Sequence, residues 1–260
     1  MIPITRARNA ARATGAPARI AAQPSERWTG ERDVTGTKLP RLSVDIVSDV
    51  MCPWCIIGWL KFESVIAHFA DRLAMRVQWH PFELNPDMPP EGEDAVEHVM
   101  CKYGVSAQQS RANTGRLAEI AAGLGFAMNR GPDFRMRNSF DAHRLLAWAG
   151  ALEEPEQAAA AGVQTALKLA LFRAHFTDNR DVGDHGVLAD VAASVGLDGA
   201  RAAALLASDD YGEMVRAEEA YWIDRNITGV PAFILGGRLL IPGAQEPEAF
   251  IRVIEKKLLA

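Results

Sequence analysis

The sequence predicts an α/β fold in which a βαβ unit and a ββα unit are separated by a long helical block. Apolar residues alternate with a period of two near both ends of the chain and recur with helical spacing between them. With 260 residues, 48% of them hydrophobic, the chain is long enough for one core domain with a large insertion.

The first unit is predicted from two alternating runs and the segment between them. Residues 42–47 indicate a strand that ends near Ser48 and Asp49, and residues 73–80 indicate a second strand. A helix is predicted between them, with Pro53 in its first turn, where a missing N–H costs nothing. Two such strands are expected to be parallel.

The middle of the chain, from about residue 94 to residue 225, has an almost wholly helical pattern. Its three clearest apolar stripes cover residues 142–149, 163–174 and 187–195. We expect these stripes to face one another and one side of the sheet.

The last unit is predicted to be a β-hairpin followed by a helix. Residues 232–235 and 238–241 flank Gly236-Gly237, which suits a two-residue turn, and a closing helix starts after Pro247. The order βαβ, helical block, ββα is the thioredoxin arrangement interrupted by an insertion. The predicted fold is therefore thioredoxin-like.

The predicted organisation follows from these boundaries. It comprises a disordered or irregular tail over residues 1–40, the βαβ half over 41–92, the helical insertion over 93–226 and the ββα half over 227–260.

Composition and charge exclude several classes of partner. The net charge of -5 gives no reason to expect binding to nucleic acid or to an acidic membrane surface. No apolar run approaches the roughly 18 residues that a membrane span needs. The Arg-rich first forty residues contain no continuous apolar segment typical of a secretory signal, so we expect a cytoplasmic protein.

The chemistry is predicted from Cys52-Pro53-Trp54-Cys55 at the start of the first helix. Disulfide exchange needs a thiolate to attack and a second thiol nearby to release the mixed disulfide. Cys52 is therefore the expected nucleophile, in the open first turn, and Cys55 the expected resolving thiol. Pro53 presets the turn, and Trp54 adds an apolar, uncharged surface.

The helix start is expected to activate Cys52. Moving a thiol pKa from about 8.5 to about 7 takes roughly 2 kcal/mol. A helix N-terminus contributes about 0.3 to 1 kcal/mol. We therefore expect a hydrogen bond from the Cys55 thiol, together with nearby N–H groups, to supply the rest of the lowering of the Cys52 pKa.

A zinc site is the alternative interpretation of two cysteines with this spacing. A tetrahedral site needs two further ligands, and no second paired motif exists, since Cys101 and His80 are isolated candidates. The position between a strand and a helix favours exchange chemistry, so neither a metal nor a cofactor is predicted.

Val230-Pro231 is the second part of the predicted site. It follows Thr228-Gly229 and immediately precedes a strand. An ordinary trans bond is the default, but in this predicted frame we expect a cis bond beside the reactive cysteine. The backbone of Val230 would then be free to pair with an extended substrate strand.

With these residues in place, the sequence resembles the FrnE-type branch of the DsbA family over residues 41–260. The motifs that support the resemblance are Cys52-Pro53-Trp54-Cys55 with Ile57-Gly58, Pro81-Phe82-Glu83-Leu84-Asn85-Pro86, Asn138 with Ala142-His143, Thr228-Gly229-Val230-Pro231, and Gly243-Ala244-Gln245. The resemblance implies a thioredoxin-like disulfide oxidoreductase with a redox-active Cys52/Cys55 pair and a cis bond before Pro231.

The resemblance also implies partners and an alternative function. Expected partners are protein thiols or disulfides, with glutathione as a candidate redox partner, and the oligomeric state, monomer or homodimer, stays open. The alternative is a glutathione-dependent isomerase or transferase of the kappa-class or 2-hydroxychromene-2-carboxylate isomerase type. Those proteins lack the second cysteine, whereas Cys55 is present here.

Four other residues are candidates for supporting roles. Asp45 or Asp49 could accept a proton from the resolving thiol, although a solvated or capping role is the simpler interpretation. His143 could line the groove, but a satisfied interface histidine is the simpler expectation. Cys101 is expected to be a buried small hydrophobic residue.

Overall fold

The structure, a computed structural model, describes residues 31–32, 38–131, 133–153 and 162–259. Most of the predicted irregular tail, residues 1–40, lies outside the described residues. Near its end, two short strands, β1 (Glu31–Arg32) and β2 (Lys38–Leu39), pair antiparallel. The composition of the tail did not predict them.

The predicted βαβ unit is present. Strand β3 (Arg41–Ser48) runs parallel to β4 (Ala74–Pro81), and helix α1 (Pro53–His68) joins them. Exposed and buried residues alternate in the first half of β3, whereas its last three residues are all buried. This is typical of a central strand whose end is covered on both faces.

The predicted ββα unit is present as well. Strand β7 (Ala232–Leu235) pairs antiparallel with β3 and with β8 (Leu239–Pro242), and helix α9 (Pro247–Lys257) follows. The order across the sheet is therefore β4-β3-β7-β8. Because β3 and β7 are neighbours, the two halves of the chain meet in the middle of the sheet.

The predicted two-residue hairpin turn is wrong by one residue. Leu235 pairs with Leu239, so Gly236, Gly237 and Arg238 all belong to the connection. The two glycines have φ values of 59° and 66°, a left-handed conformation in which glycine avoids the penalty of a Cβ atom.

The insertion is helical, as predicted. Its helices within the described ranges are α2 (Ala95–Tyr103), α3 (Ala107–Gly123), α4 (Phe140–Ala151), α5 (Val163–Phe176), α6 (His185–Ser194), α7 (Gly199–Leu206) and α8 (Gly212–Asp224). Four of them start where a side chain accepts hydrogen bonds from the first turn, at Asp94, Ser106, Asp184 and Asp198.

A short antiparallel pair of strands, β5 (Glu93–Asp94) and β6 (Arg135–Met136), interrupts the helical insertion. The helical pattern did not predict it. Within the described ranges, no helix is both long and apolar enough to cross a bilayer.

Buried apolar residues form two clusters. One lies around the sheet, α1 and α9 and includes Cys52 and Cys55. The other lies among α4 to α7 and contains the three stripes that the sequence predicted to face one another. Val50 and Met51, directly before Cys52, belong to the second cluster. The cysteine motif therefore lies at the junction of the two cores.

Gln164 of α5 fastens the insertion to the edge of the sheet. Its side-chain oxygen accepts a hydrogen bond from Trp79 N at 2.9 Å, and its amide nitrogen donates to Trp79 O at 3.1 Å. One side-chain amide thus satisfies both backbone groups of an edge residue, as a neighbouring strand would.

Candidate active site

The cysteine motif opens helix α1. Cys52 is the N-cap residue with extended backbone angles, Pro53 begins the helix, and Cys55 lies in its first turn. Cys52 N donates to Asp49 O at 3.1 Å, and Cys55 N donates to Cys52 O at 3.0 Å. These two hydrogen bonds fix the turn that carries Cys52 from the end of β3 into the helix.

The thiol of Cys52 faces Val230. Cys52 Sγ lies 3.7 Å from Val230 O as a hydrogen-bond donor, although the two residues are 178 positions apart. The Val230–Pro231 bond is cis, and Pro231 O accepts a hydrogen bond from Gly243 N at 2.7 Å. The sheet thus brings the two predicted parts of the site together.

Helix α1 also packs closely against Pro231. A Cβ atom added to Gly58 would lie 3.0 Å from Pro231 Cγ and 3.4 Å from Ala244 Cβ. Three of the motifs that support the family resemblance therefore meet at one contact.

The site is more enclosed than the sequence suggested. Cys52 is 0% exposed and Cys55 1% exposed, both as free thiols. Pro53 and Trp54 are half-buried, while Val230 and Pro231 are buried. The expectations of an open turn at Cys52 and of a free backbone at Val230 are wrong for this structure, because the Val230 carbonyl already contacts the Cys52 thiol.

The expected lowering of the Cys52 pKa is also wrong for this structure. Burial raises the pKa of the Cys52 thiol well above its usual range, and the Cys55 thiol and the Asp49 carboxylate raise it further. The N–H of Cys55 acts in the opposite direction. The thiol of Cys55 was expected to help ionise Cys52, whereas in this buried pair it favours the neutral form.

Groups from the insertion lie near Cys52. The positive charges of Lys102 and Arg130 interact with the thiolate form of Cys52. The same thiolate charge, after burial, contributes to the raised pKa of Tyr103. Lys102 Nζ donates to Leu84 O at 2.7 Å and also contacts Asn85 Oδ1. Helix α2 is thereby tied to the segment that follows β4.

Asp49 is a fixed carboxylate and neither a solvated nor a capping residue. It is 0% exposed and accepts hydrogen bonds from Met51 N at 3.0 Å and Leu84 N at 2.7 Å. Burial by itself would raise the pKa of Asp49, but His143, whose Nε2 is 3.8 Å away, and the two N–H groups outweigh it and lower that pKa.

Asp45, the other predicted proton acceptor, belongs to a separate cluster. Its carboxylate pairs with His80 Nε2 at 2.9 Å, and His80 Nδ1 contacts Glu218. Burial alone would lower the pKa of His80, but the two carboxylates raise it to about 9. His80 is thus a cation paired with two carboxylates, and it links Asp45 of β3 to Glu218 of α8.

His143 is buried, as its simpler interpretation predicted, but it is not satisfied. It is 2% exposed, and its Nε2 has no hydrogen-bond partner. Cys101, which we expected to be buried, is exposed on α2. No group of three potential metal ligands occurs in the part of the chain that the structure describes.

The sequence analysis missed Lys168, which lies on α5 and is 0% exposed. Its Nζ lies 3.5 Å from Ser48 O and near the faces of two aromatic rings, 5.5 Å from the centre of Trp79 and 5.2 Å from that of Phe172. Burial lowers the pKa of Lys168 to about 8, against the charges of Cys55, Asp49 and Cys52. Lys168 carries no local sequence signal of burial, because a lysine within an amphipathic helix normally faces solvent.

Together, the fold and the site define a thioredoxin-fold protein with two thiols, separated by two residues, at the start of helix α1. The family model for the DSBA-like thioredoxin domain matches residues 43–255. The chain belongs to this family, and membership supports thiol–disulfide oxidoreductase chemistry. The FrnE-type branch within the family stays a prediction.

Individual relatives agree with this assignment. A probable DsbA oxidoreductase, SCO1869 from Streptomyces coelicolor, is 33% identical, with 83% of this chain and 89% of that chain covered and a TM-score of 0.74. The uncharacterized protein YwbO of Bacillus subtilis is 25% identical over 227 residues, which are 81% of this chain and 94% of YwbO.

A more distant structure has the same fold. The cytosolic disulfide reductase DsbM of Pseudomonas aeruginosa is 20% identical, with 84% of this chain and all of that chain covered and a TM-score of 0.56. DsbM has also been solved with GSH. At this level of identity the likeness concerns the fold alone.

Proposed function

We propose that the chain exchanges disulfides on protein or low-molecular-weight thiols, with Cys52 as nucleophile and Cys55 as resolving thiol. The observation that carries the proposal is the position of the two adjacent thiols at the start of α1, with Cys52 Sγ facing the carbonyl of Val230. The two thiols and a backbone acceptor thus lie close together, which supports the proposed roles.

The proposed reaction balances as two exchanges. The thiolate of Cys52 attacks a substrate disulfide, forms a new S–S bond, and releases one substrate sulfur as a thiolate that takes up a proton. The thiolate of Cys55 then attacks Cys52 Sγ and releases the second substrate sulfur. The substrate gains two electrons and the Cys52–Cys55 pair loses them, and the reverse sequence oxidises a dithiol substrate.

The surroundings of Cys52 imply that the substrate enters a site that must first open. Cys52, Val230 and Pro231 are buried, whereas an attacking sulfur needs an open line of approach. Trp54 and Pro53, which lie between the two cysteines of the motif, are half-buried, so we assign them to the surface that a substrate meets. This role for Pro53, Trp54, Val230 and Pro231 is part of the proposal.

We also propose a cytoplasmic location and glutathione as the redox partner to test first. Glutathione is proposed because GSH accompanies DsbM in a solved structure and because Lys102 and Arg130 place positive charge near Cys52, where carboxylates of a small thiol would be attracted.

The decisive experiment is trapping with Cys55→Ser. In this variant Cys52 can still attack, but nothing resolves the product, so substrates stay covalently attached and can be identified by mass spectrometry. Cys52→Ser/Cys55→Ser is the matched control for non-specific capture, and Cys101→Ser removes the exposed thiol in all samples.

The same variants separate the proposed function from the alternative. Turnover in the reduction of glutathione disulfide or a protein disulfide should collapse in Cys55→Ser. A glutathione-dependent isomerase or transferase would retain its activity, because it does not need Cys55. Retained turnover in Cys55→Ser would therefore overturn the proposed exchange mechanism.

A further inference from the structure

Lys168 is a buried amine that lines a cavity and interacts electrostatically with the cysteine pair. It lies on α5, and its Nζ contacts Ser48 O at the end of β3, one residue before Asp49. Apart from burial, the strongest influence on its charge is the electrostatic attraction of Cys55. An amine in this position has few hydrogen-bonding partners of its own, because Trp79 and Phe172 present ring faces to it.

A cavity of about 200 Å³ lies between β4, α4, α5 and α8. Lys168 and His143 line it, together with His80, Gln164 and Glu218. A space of this size with several polar groups can hold water molecules. The cavity therefore offers Lys168 a polar route that is separate from the proposed substrate surface, because Cys52, Trp54 and Val230 do not line it.

The resolving step needs such a route. Cys55 must lose its proton before it attacks the mixed disulfide, yet it is only 1% exposed, so bulk water has almost no access to it. Asp49 is a weak base because its pKa is lowered and its oxygens are occupied. Burial lowers the pKa of His175 to about 3, so it too is a weak base.

Resting on the proposed function, we propose that Lys168 accepts the proton of Cys55 in the resolving step and passes it to solvent through this cavity. The S–H bond of Cys55 breaks, and the proton binds to Nζ, directly or through a water molecule. The electron pair left on the sulfur forms the S–S bond to Cys52, and the substrate sulfur leaves with the electron pair of the mixed disulfide. Lys168 then returns the proton to water.

The charges around Lys168 fit this role. Cys52, Cys55 and Asp49 favour its protonated form from the side of the motif, against the effect of burial. His143 approaches from α4, and His80 and Glu218 line the cavity further along. With its pKa at about 8, Lys168 can both take up and release a proton near neutral pH, which is what efficient proton transfer requires.

The test follows the two chemical steps separately. The reduced protein is mixed with glutathione disulfide, samples are quenched with acid, and mass spectrometry measures the mixed disulfide and the intramolecular disulfide over time and pH. The variants are Lys168→Met, which removes the amine, and Lys168→Arg, which keeps a positive charge but does not deprotonate. Lys256→Met, at an exposed position of α9, is the control.

We expect the mixed disulfide to accumulate in both Lys168 variants. The rate of the resolving step should fall by about 100-fold, the lower end of what general base catalysis contributes, while formation of the mixed disulfide changes little. In the natural protein the resolving rate should level off above about pH 8, whereas in Lys168→Met it should keep rising in first order with hydroxide.

Three outcomes overturn the inference. The first is an unchanged resolving rate and pH profile in Lys168→Met, and the second is rescue by Lys168→Arg, which would make the lysine an electrostatic rather than a proton-accepting group. The third is an equal slowing of both steps, which would indicate a structural role. If the natural protein forms neither the mixed disulfide nor the intramolecular disulfide, the proposed function itself fails, so the two failures are distinguishable.

Discussion

The thiol of Cys52 donates toward the carbonyl oxygen of Val230 over a distance of 3.7 Å. A hydrogen bond of this kind exists only while the thiol keeps its proton, so it favours the neutral form. Burial acts in the same direction. Burial is the largest cause of the raised pKa of Cys52, and the Cys55 thiol and the Asp49 carboxylate add to it.

Asp49→Asn should lower the pKa of Cys52, because the Asp49 carboxylate is one cause of its elevation. The measurement is the pH dependence of Cys52 alkylation in the Cys55→Ser/Cys101→Ser background. Asp45→Asn is the matched control, since Asp45 pairs with His80, and it should leave the titration in place. A titration that moves upward in Asp49→Asn would contradict the electrostatic account of the site.

The sequence was sufficient to predict the frame of this site. Alternating strands, the position of Pro53 and the hairpin near Gly236 are local signals, and they define the two halves whose strands pair in the sheet. Once β3 and β7 are neighbours, Cys52 and Val230 must lie close together. Their proximity was predictable because topology alone produces it, whereas the hydrogen bond from the Cys52 thiol to the Val230 carbonyl was not predicted.

The sequence could not predict what the insertion does to the site. The enclosure of Cys52 and the position of Lys168 depend on how the insertion packs on the sheet, which no local period describes. Lys168 lies within an amphipathic pattern where a lysine normally faces solvent. Gln164 likewise shows its role only when it is placed opposite the backbone of Trp79.

Gln164→Leu should destabilise the protein by about 2 to 4 kcal/mol, because the buried N–H and carbonyl of Trp79 lose their partner and each unsatisfied group costs about 1 to 3 kcal/mol. Urea unfolding measures the change. Gln108→Leu, at an exposed position of α3, is the control and should stay within about 0.5 kcal/mol of the natural protein. Equal effects of the two substitutions would show that the two hydrogen bonds between Gln164 and the Trp79 backbone contribute nothing to stability.

His80 should make stability depend on pH. Its pKa is raised to about 9 in the folded protein, against about 6.5 in the unfolded chain. Its contribution to stability is therefore fully present below pH 6.5 and is lost as the pH rises through 9. The difference in unfolding free energy between the natural protein and His80→Gln should shrink by about 3 kcal/mol across this window.

Urea unfolding of both proteins at about pH 6 and about pH 10 measures that difference. Lys168 and Glu83, whose pKa values are about 8, titrate in both proteins, so the comparison largely cancels their effects. A difference that stays constant with pH would mean that His80 is not held as a cation by Asp45 and Glu218.

Gly58→Ala should destabilise the protein, although alanine normally stabilises a helix by about 1 kcal/mol relative to glycine. The new Cβ atom would lie 3.0 Å from Pro231 Cγ, so α1 or Pro231 must shift, and such overpacking costs about 1 to 3 kcal/mol. Gly115→Ala in α3 is the matched control, because nothing lies within 4 Å of its added Cβ.

Thermal unfolding should show a lower melting temperature for Gly58→Ala and a higher one for Gly115→Ala. Exchange with glutathione disulfide should slow only in Gly58→Ala, since Pro231 is the residue that adjoins Val230 and the Cys52 thiol. If both substitutions raise the melting temperature, the contact between α1 and Pro231 is looser than this distance indicates.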